Sequence, residues 1–300
     1  MQESKALHYV LGLSLAMIAL FVVVALVMIN TRASDSEVTI NNVSPTVVES
    51  ALDAGAAITL TSGTTKEVVA TATVQDTNGN ADIATVLMVL YRSGATGGTA
   101  CSSDDNDCYR INECVLTNNA DPLQKVATCT FVMDHYADST SASGRYPAEN
   151  WKLYVRVADT DATTGELNTT TTEVNDLLSL SIPSVINFGT VSLGNQGYTN
   201  LTIENQGNMR SGVNISSSDD DMDCTVRGAI PRDKQEHKDA TFAIGAGTDL
   251  SATPTDTTLT IDWQATGTDT SDILYMGVDV LPSGLEGVCT MVDTLTAFAK

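Results

Sequence analysis

The residues best suited to chemistry are oxygen donors in a turn. In Asp76-Thr77-Asn78-Gly79-Asn80-Ala81-Asp82, the side chains of Asp76, Asn78, Asn80 and Asp82 fall at alternate positions. Loops that wrap a hard cation space their ligands this way, and calcium is the ion such a set would take. An EF-hand needs Gly at its sixth position and Glu at its twelfth. Here Gly is fourth and no such Glu follows. The plainer reading is a turn whose Asn and Asp side chains cap their own backbone, and the residue types favour it. Asp104, Asp105 and Asp107, then Asp159 with Asp161, then Asp219 to Asp223 read as further acidic turns in contact with water.

Catalysis finds little footing. The histidines are His8, His135 and His237, far apart in the chain. A Ser–His–Asp triad needs a nucleophile and an oriented base. No G-x-S-x-G elbow, H-E-x-x-H pair or Walker A loop occurs. Carboxylates are plentiful enough to pair at glycosidase distance by chance, but on a surface they are usually only solvated. The expectation is a protein that is not an enzyme, with no cofactor beyond the calcium reading.

Cys101, Cys108, Cys114, Cys129, Cys224 and Cys289 lack the tight C-x2-4-C pairs of a zinc knuckle. An even number in an exported chain reads as disulfides. Cys101 and Cys108 flank a polar loop, and Cys114 and Cys129 can join strands across the next one. Cys224 and Cys289 are left for the second half. Four cysteines in one domain allow three connectivities, and a bridge between domains is the rival arrangement. Asn168, Asn200 and Asn214 stand in N-x-S/T sequons, as does Asn42, weakened by Pro45 after its Ser. They permit glycosylation where the host can perform it.

Elements must hold these residues. Tyr9 to Ile29 contains no charge, and a spanning helix needs about 20 apolar residues. The run is therefore expected to be a membrane helix, and the membrane a partner. Lys5 ahead of it favours an internal N-terminus. Thr31-Arg32-Ala33 is a poor cleavage site after Ala33, and the run is long for an excised signal. Gly12, Ala16 and Ala19 form a small-residue face suited to helix packing. The formal charge of −22 disfavours nucleic acid and anionic headgroups and keeps an exposed protein soluble.

The remaining residues, about 270, suit two domains of ordinary size. Residues 1–36 hold the helix, 37–180 a first domain and 181–300 a second. Val38-Thr39-Ile40 is expected to open the first. Val68, Ala70, Ala72 and Val74 alternate with other side chains, as on a half-buried strand. Ile83 to Tyr91 is more continuously apolar and reads as a central strand. Ser93 to Asn106 is a loop. Cys129, Phe131 and Met133 share a face, as do Trp151, Leu153, Val155 and Val157. Glu166 to Asn175 is extended. In the second domain Leu259, Ile261 and Trp263 alternate, then Leu274, Met276, Val278 and Val280. Many short strands between turns indicate an all-β chain of β-sandwiches. The antibody order Cys…Trp…Cys is absent, because Trp151 follows every cysteine of its domain.

Ile186-Asn187-Phe188-Gly189-Thr190-Val191-Ser192-Leu193-Gly194, followed by Leu201-Thr202-Ile203-Glu204-Asn205-Gln206-Gly207-Asn208, resembles the FGxVxxG…xNxGN pattern of ASPM/SPD-2/Hydin-like modules. The resemblance covers about a third of the second domain. It implies an Ig-like fold, here two tandem Ig-like β-sandwiches after the helix, and a scaffold or adhesion role without catalytic residues. On the physical reading, Phe188 and Val191 anchor a first strand, Gly194 releases a turn, and Asn205 to Asn208 closes a hairpin-like bend. The DTNGNADI unit, the Cys-rich loop, the DHYADST run and the final GVCT strand loosely resemble exported two-domain proteins of small-genome bacteria and archaea.

Lys5-Ala6-Leu7 ahead of the apolar run is similar to the class III signal of archaeal pilins and archaellins, which would be cut between Ala6 and Leu7. That likeness implies a helix freed to pack in a filament core. The Glu that bacterial pilins carry just inside the helix is absent between Leu7 and Ile29. The expected function is a non-enzymatic structural or adhesion protein on the cell surface, displayed by its N-terminal helix. A pilin-like filament subunit is the alternative, and a secreted polysaccharide hydrolase is a third class. Self-assembly, other surface proteins and glycans are the expected partners.

Overall fold

The computed structural model describes residues 3–29, 35–265 and 270–300, and the side chains of all of these except 3–7 and 23–29. The expectations resting on the side chains of Lys5, Ala6 and Leu7, and on Thr31 to Ala33, lie outside the described residues. The chain divides into two compact units, Met1–Asn42 and Val43–Lys300.

Helix α1 covers Glu3–Ile29. Tyr9, Leu13, Leu15, Ile18, Leu20 and Phe21 are all more than half exposed. An apolar surface on every side gives the helix no single stripe to turn toward a core. Among the described residues, however, no helix is long and apolar enough to cross a membrane. The expected crossing by Tyr9–Ile29 is therefore not carried by the structure. The expected strand at Val38-Thr39-Ile40 does not form either: Val38 and Ile40 are 81% and 80% exposed and pair with nothing in a sheet. The chain enters its first sheet only after Pro45, which is buried.

The second unit is built from antiparallel ladders. Its first half contains β1 (Thr46–Leu52), β2 (Lys66–Gln75), β3 (Ile83–Arg92), β4 (Cys108–Ile111), β5 (Val115–Asn118), β6 (Gln124–Met133), β7 (Trp151–Asp159) and β8 (Thr164–Thr172). They form two four-stranded sheets, ordered β1-β2-β6-β5 and β4-β3-β7-β8. The sheets share one apolar core. Val68, Ala70, Ala72, Val74, Phe131 and Met133 enter it from one sheet, and Val86, Met88, Leu90, Trp151, Leu153, Val155 and Val157 from the other. The period-2 alternation thus lands on one face, as strand geometry requires.

The outer face of the second sheet is not left to solvent. Val89, Tyr91 and Tyr154 lie on it and are buried with Cys101 and Cys108. The loop between β3 and β4 covers them, closed by the Cys101–Cys108 disulfide. This explains why Ile83 to Tyr91 reads as continuously apolar: the strand is covered on both faces over its second half. Cys114 lies where the chain leaves one sheet for the other. Its N–H donates to the Val86 carbonyl at 2.8 Å, and its sulfur is bonded to Cys129 on β6 of the opposite sheet.

The second half holds a five-stranded sheet in the order Thr248–Asp249, Gln235–Lys238, Ser271–Asp279, Gln196–Asn205, Leu180–Ser181. A three-stranded sheet, Thr255–Ile261, Ser211–Ser217, Asp293–Ala299, accompanies it. Leu201, Ile203, Val213, Ile215, Leu259, Ile261, Leu274 and Met276 form the core. A small third sheet contains Asp221–Cys224 and Cys289–Thr290, joined by the Cys224–Cys289 disulfide. Among the described residues, no strand of the first half pairs with one of the second.

Two local expectations are corrected. Ile186 to Gly194 forms no strand; Ile186, Phe188 and Val191 are only partly buried and pack against apolar clusters from a loop. Asn205 to Asn208 closes no hairpin. The strands on either side of it, Gln196–Asn205 and Ser211–Ser217, belong to different sheets.

The Cys114–Cys129 bridge closes a 15-residue separation, for which denatured-chain entropy predicts roughly 3 kcal/mol. Both sulfurs also lie in the core. We expect the double variant Cys114→Ala/Cys129→Ala to lose at least that much in urea unfolding of the full chain. A loss below about 1 kcal/mol would contradict a cross-sheet role.

Candidate functional site

The turn after β2 folds back on itself. The Asn78 N–H donates to Asp76 Oδ1 at 2.7 Å, and the Gly79 N–H to the Asp76 carbonyl at 3.2 Å. Gly79 has φ +121°, a region closed to most side chains. The turn docks on its neighbour through Asn80 N–H to the Pro122 carbonyl at 3.0 Å. The two asparagines of the expected calcium set point elsewhere. Asn78 Oδ1 accepts the Val43 N–H at 2.9 Å, and Asn80 Nδ2 donates to the Gln124 carbonyl at 3.3 Å.

Asp76 and Asp82 do come together, and Asp159 joins them. One carboxylate oxygen from each lies within 4.8 Å of the others. Asp159 ends β7 and faces Ile83 across the ladder, so it arrives from more than seventy residues away. It is buried, which corrects its reading as a solvated turn. It accepts the Thr163 N–H at 2.7 Å and the Thr163 hydroxyl. The Thr160 hydroxyl donates to Asp82. Asp76 is 1% exposed, and its Oδ2 has no hydrogen-bond partner.

A second charged cluster lies at the other end of β3. Arg92, 8% exposed, is held by Asp138 at 2.9 Å, by Glu149 and by Asp107 at 3.3 Å. Its guanidinium stacks 3.7 Å from the Tyr146 ring centre. Arg145 supplies the other oxygen of Asp138 with a partner at 3.0 Å. Burial pushes the Asp138 carboxyl up against the pull of both arginines. Asp107 is pushed up to about 6, first by burial and then by Asp104 beside it, although Arg92 pulls it down. The ion pair and this upward shift are compatible: one guanidinium is divided among three carboxylates, and its share at Asp107 is the longest contact. Asp104, read as solvated, instead accepts the N–H groups of Asn106, Asp107 and Cys108 on one oxygen.

Arg145 also reaches the second half, lying 4.0 Å from the Trp263 ring centre, and Arg210 sits 4.8 Å from the same ring. Around this stack, backbone groups of both halves are bound by asparagines. Asn106 Nδ2 donates to the Gln264 carbonyl at 3.1 Å. Asn208 Nδ2 donates to the Ala137 and Asn175 carbonyls at 3.0 and 3.1 Å, while its Oδ1 accepts the Leu177 N–H at 2.8 Å. Asn205 Nδ2 bridges the Met209 and Asp262 carbonyls. A Cβ on Gly207 would come within 2.0 Å of the Leu177 carbonyl oxygen. The Asn205–Asn208 bend is therefore a joint between two cores. No single-residue signal marks it in the sequence beyond the xNxGN pattern itself.

Three of the sequon asparagines, Asn168, Asn200 and Asn214, sit on strands, whereas Asn42 precedes the first of them. Asn168 and Asn200 are exposed, Asn214 half-buried within a sheet, and Asn168 Nδ2 donates to the Tyr91 hydroxyl at 2.8 Å. His135 and His237 are both buried. Burial lowers the affinity of His237 for a proton, and neither of its ring nitrogens has a hydrogen-bond partner.

Two predictions follow from these clusters. A carboxyl raised from its usual ~3.9 holds a proton longer in the folded state, so its contribution to stability grows as pH falls toward the unfolded value. Wild type should therefore gain stability relative to Asp107→Asn between pH 7 and pH 5, by about 1 kcal/mol after allowing for partial exposure; a flat difference across that window contradicts the shift. At the joint, Asn208→Ala strands three backbone groups, at about 1–3 kcal/mol for each that stays buried. Asn208→Ala and Gly207→Ala should both speed proteolytic cutting near Leu177, with an exposed Asn195→Ala control unchanged.

No protein-family model matches the chain, and no curated protein matches it. Among solved structures, it is similar to the CsuC–CsuE chaperone–tip adhesion subunit pre-assembly complex from archaic chaperone–usher Csu pili of Acinetobacter baumannii. The match has a TM-score of 0.35 and 11% identity, and covers 82% of this chain and 99% of that one. A likeness of that size carries no argument about what this chain does.

Proposed function

We propose that the chain is a non-enzymatic cell-surface structural or adhesion protein, attached through α1 and presenting Val43–Lys300 outside the cell as two tandem Ig-like β-sandwiches. The observation that carries this reading is the redox state of the fold. All six cysteines are paired, and such bonds persist in oxidising, extracytoplasmic compartments. The two β-rich halves support it further, each with its own core on one side of the Asn205–Asn208 joint. So does the acidic surface, which resists association with nucleic acid.

A second reading is a pilin-like filament subunit. It is favoured by α1, whose described apolar surface faces all directions and so offers no single stripe to a core of its own chain. Packing against other copies would cover such a helix on all its sides, and Gly12 permits close approach.

Antibodies against the β unit should label intact cells, and labelling only after permeabilisation would sink the surface reading. Mass spectrometry of the mature N-terminus then separates the modes of attachment. A chain starting at Met1 or Gln2 retains the anchor, one starting at Leu7 is processed like a pilin, and one starting at Ser34 is released. For a filament subunit, electron microscopy of sheared surface material should show regular threads of this chain, and deleting residues 1–33 should abolish them.

A further inference from the structure

The Asp76–Asp82–Asp159 cluster is not used by any role described above, and it is costly as it stands. Three carboxylates share a site where two of them are almost wholly buried: Asp76 is 1% and Asp159 3% exposed. Buried charges are normally paired or bound to metal. Asp76 keeps an oxygen, Oδ2, that is shielded from water and has no hydrogen-bond partner. We propose that these three residues bind one calcium ion.

The geometry supports an ion at this place. Two oxygens each 2.3–2.6 Å from one calcium lie up to about 5 Å apart, and the three donor oxygens lie within 4.8 Å of one another. All donors are oxygen, which selects a hard cation. Thr160 and Thr163 donate to Asp82 and Asp159, fixing how these carboxylates are turned, as partners of metal ligands do. Calcium accepts six to eight ligands in flexible geometry and so tolerates carboxylates drawn from separate elements. Magnesium requires a tighter octahedron, keeps several waters and is usually bound with substrate phosphates.

The donors come from both sheets. Asp76 follows β2 of one sheet, while Asp82 precedes β3 and Asp159 ends β7 of the other. Calcium would therefore tie the two sheets together at this end of the first half, as Cys114–Cys129 does by a covalent bond. The ligand set differs from a sequential loop, since the amides of Asn78 and Asn80 are engaged elsewhere.

The test uses the detergent-solubilised full chain, stripped by chelator and titrated with calcium chloride by calorimetry, with melting followed in parallel. We expect one ion per chain and a melting temperature raised by about 5 °C at a hundredfold excess over Kd. Asp159→Asn should abolish both effects, whereas Asn80→Ala should keep them. If Asp159→Asn fails to fold, Asp82→Asn, at the least buried position, decides the matter by weakening binding at least tenfold. No binding heat and no melting shift at several millimolar calcium overturns the proposal. So does an equal loss in Asn80→Ala, or a response to magnesium but none to calcium.

Discussion

Arg92 is one buried cation placed among three carboxylates, and much of the first half is arranged around that fact. Its partners come from two long connections of this half. Asp107 closes the loop that carries Cys101–Cys108, and Asp138 and Glu149 belong to the segment between β6 and β7. Removing one member of such a group leaves the others buried and uncompensated, which costs far more than a surface pair is worth. The irregular segments are therefore held by charge, where the strands are held by apolar packing.

The same cluster connects the two halves. Asp138 pairs with Arg145, Arg145 stacks on Trp263, and the Asp138 carbonyl accepts the Trp151 indole N–H at 2.8 Å. One carboxylate-bearing residue thus touches the core tryptophan of the first half and, through one arginine, the ring of the second. Electrostatics and hydrogen bonds make this joint, and the apolar clusters on either side remain separate.

Alternation in the sequence made the strands legible. Val68 to Val74, Trp151 to Val157 and Leu274 to Val280 each place their apolar residues on one buried face, because strand geometry admits only two faces. What alternation could not reveal was the cover on the outer face of β3, since Tyr91 and Tyr154 are buried by a polar loop. It also could not show which acidic turns meet. Asp76 and Asp82 stood out by their spacing, but Asp159 is brought to them only by the pairing of β3 with β7. The loop from Ile186 to Gly194 had strand-like residues but lacks a ladder, so its apolar side chains pack without one.

The Asn205–Asn208 bend makes most of its contacts to main chain. Its partners are the carbonyls of Ala137, Asn175, Met209 and Asp262 and the N–H of Leu177. Peptide groups are present whatever side chain occupies a position. Two asparagines and a glycine can therefore keep the joint while the residues around it diverge, so that descendants of such a chain could share its architecture long after their sequences had ceased to align.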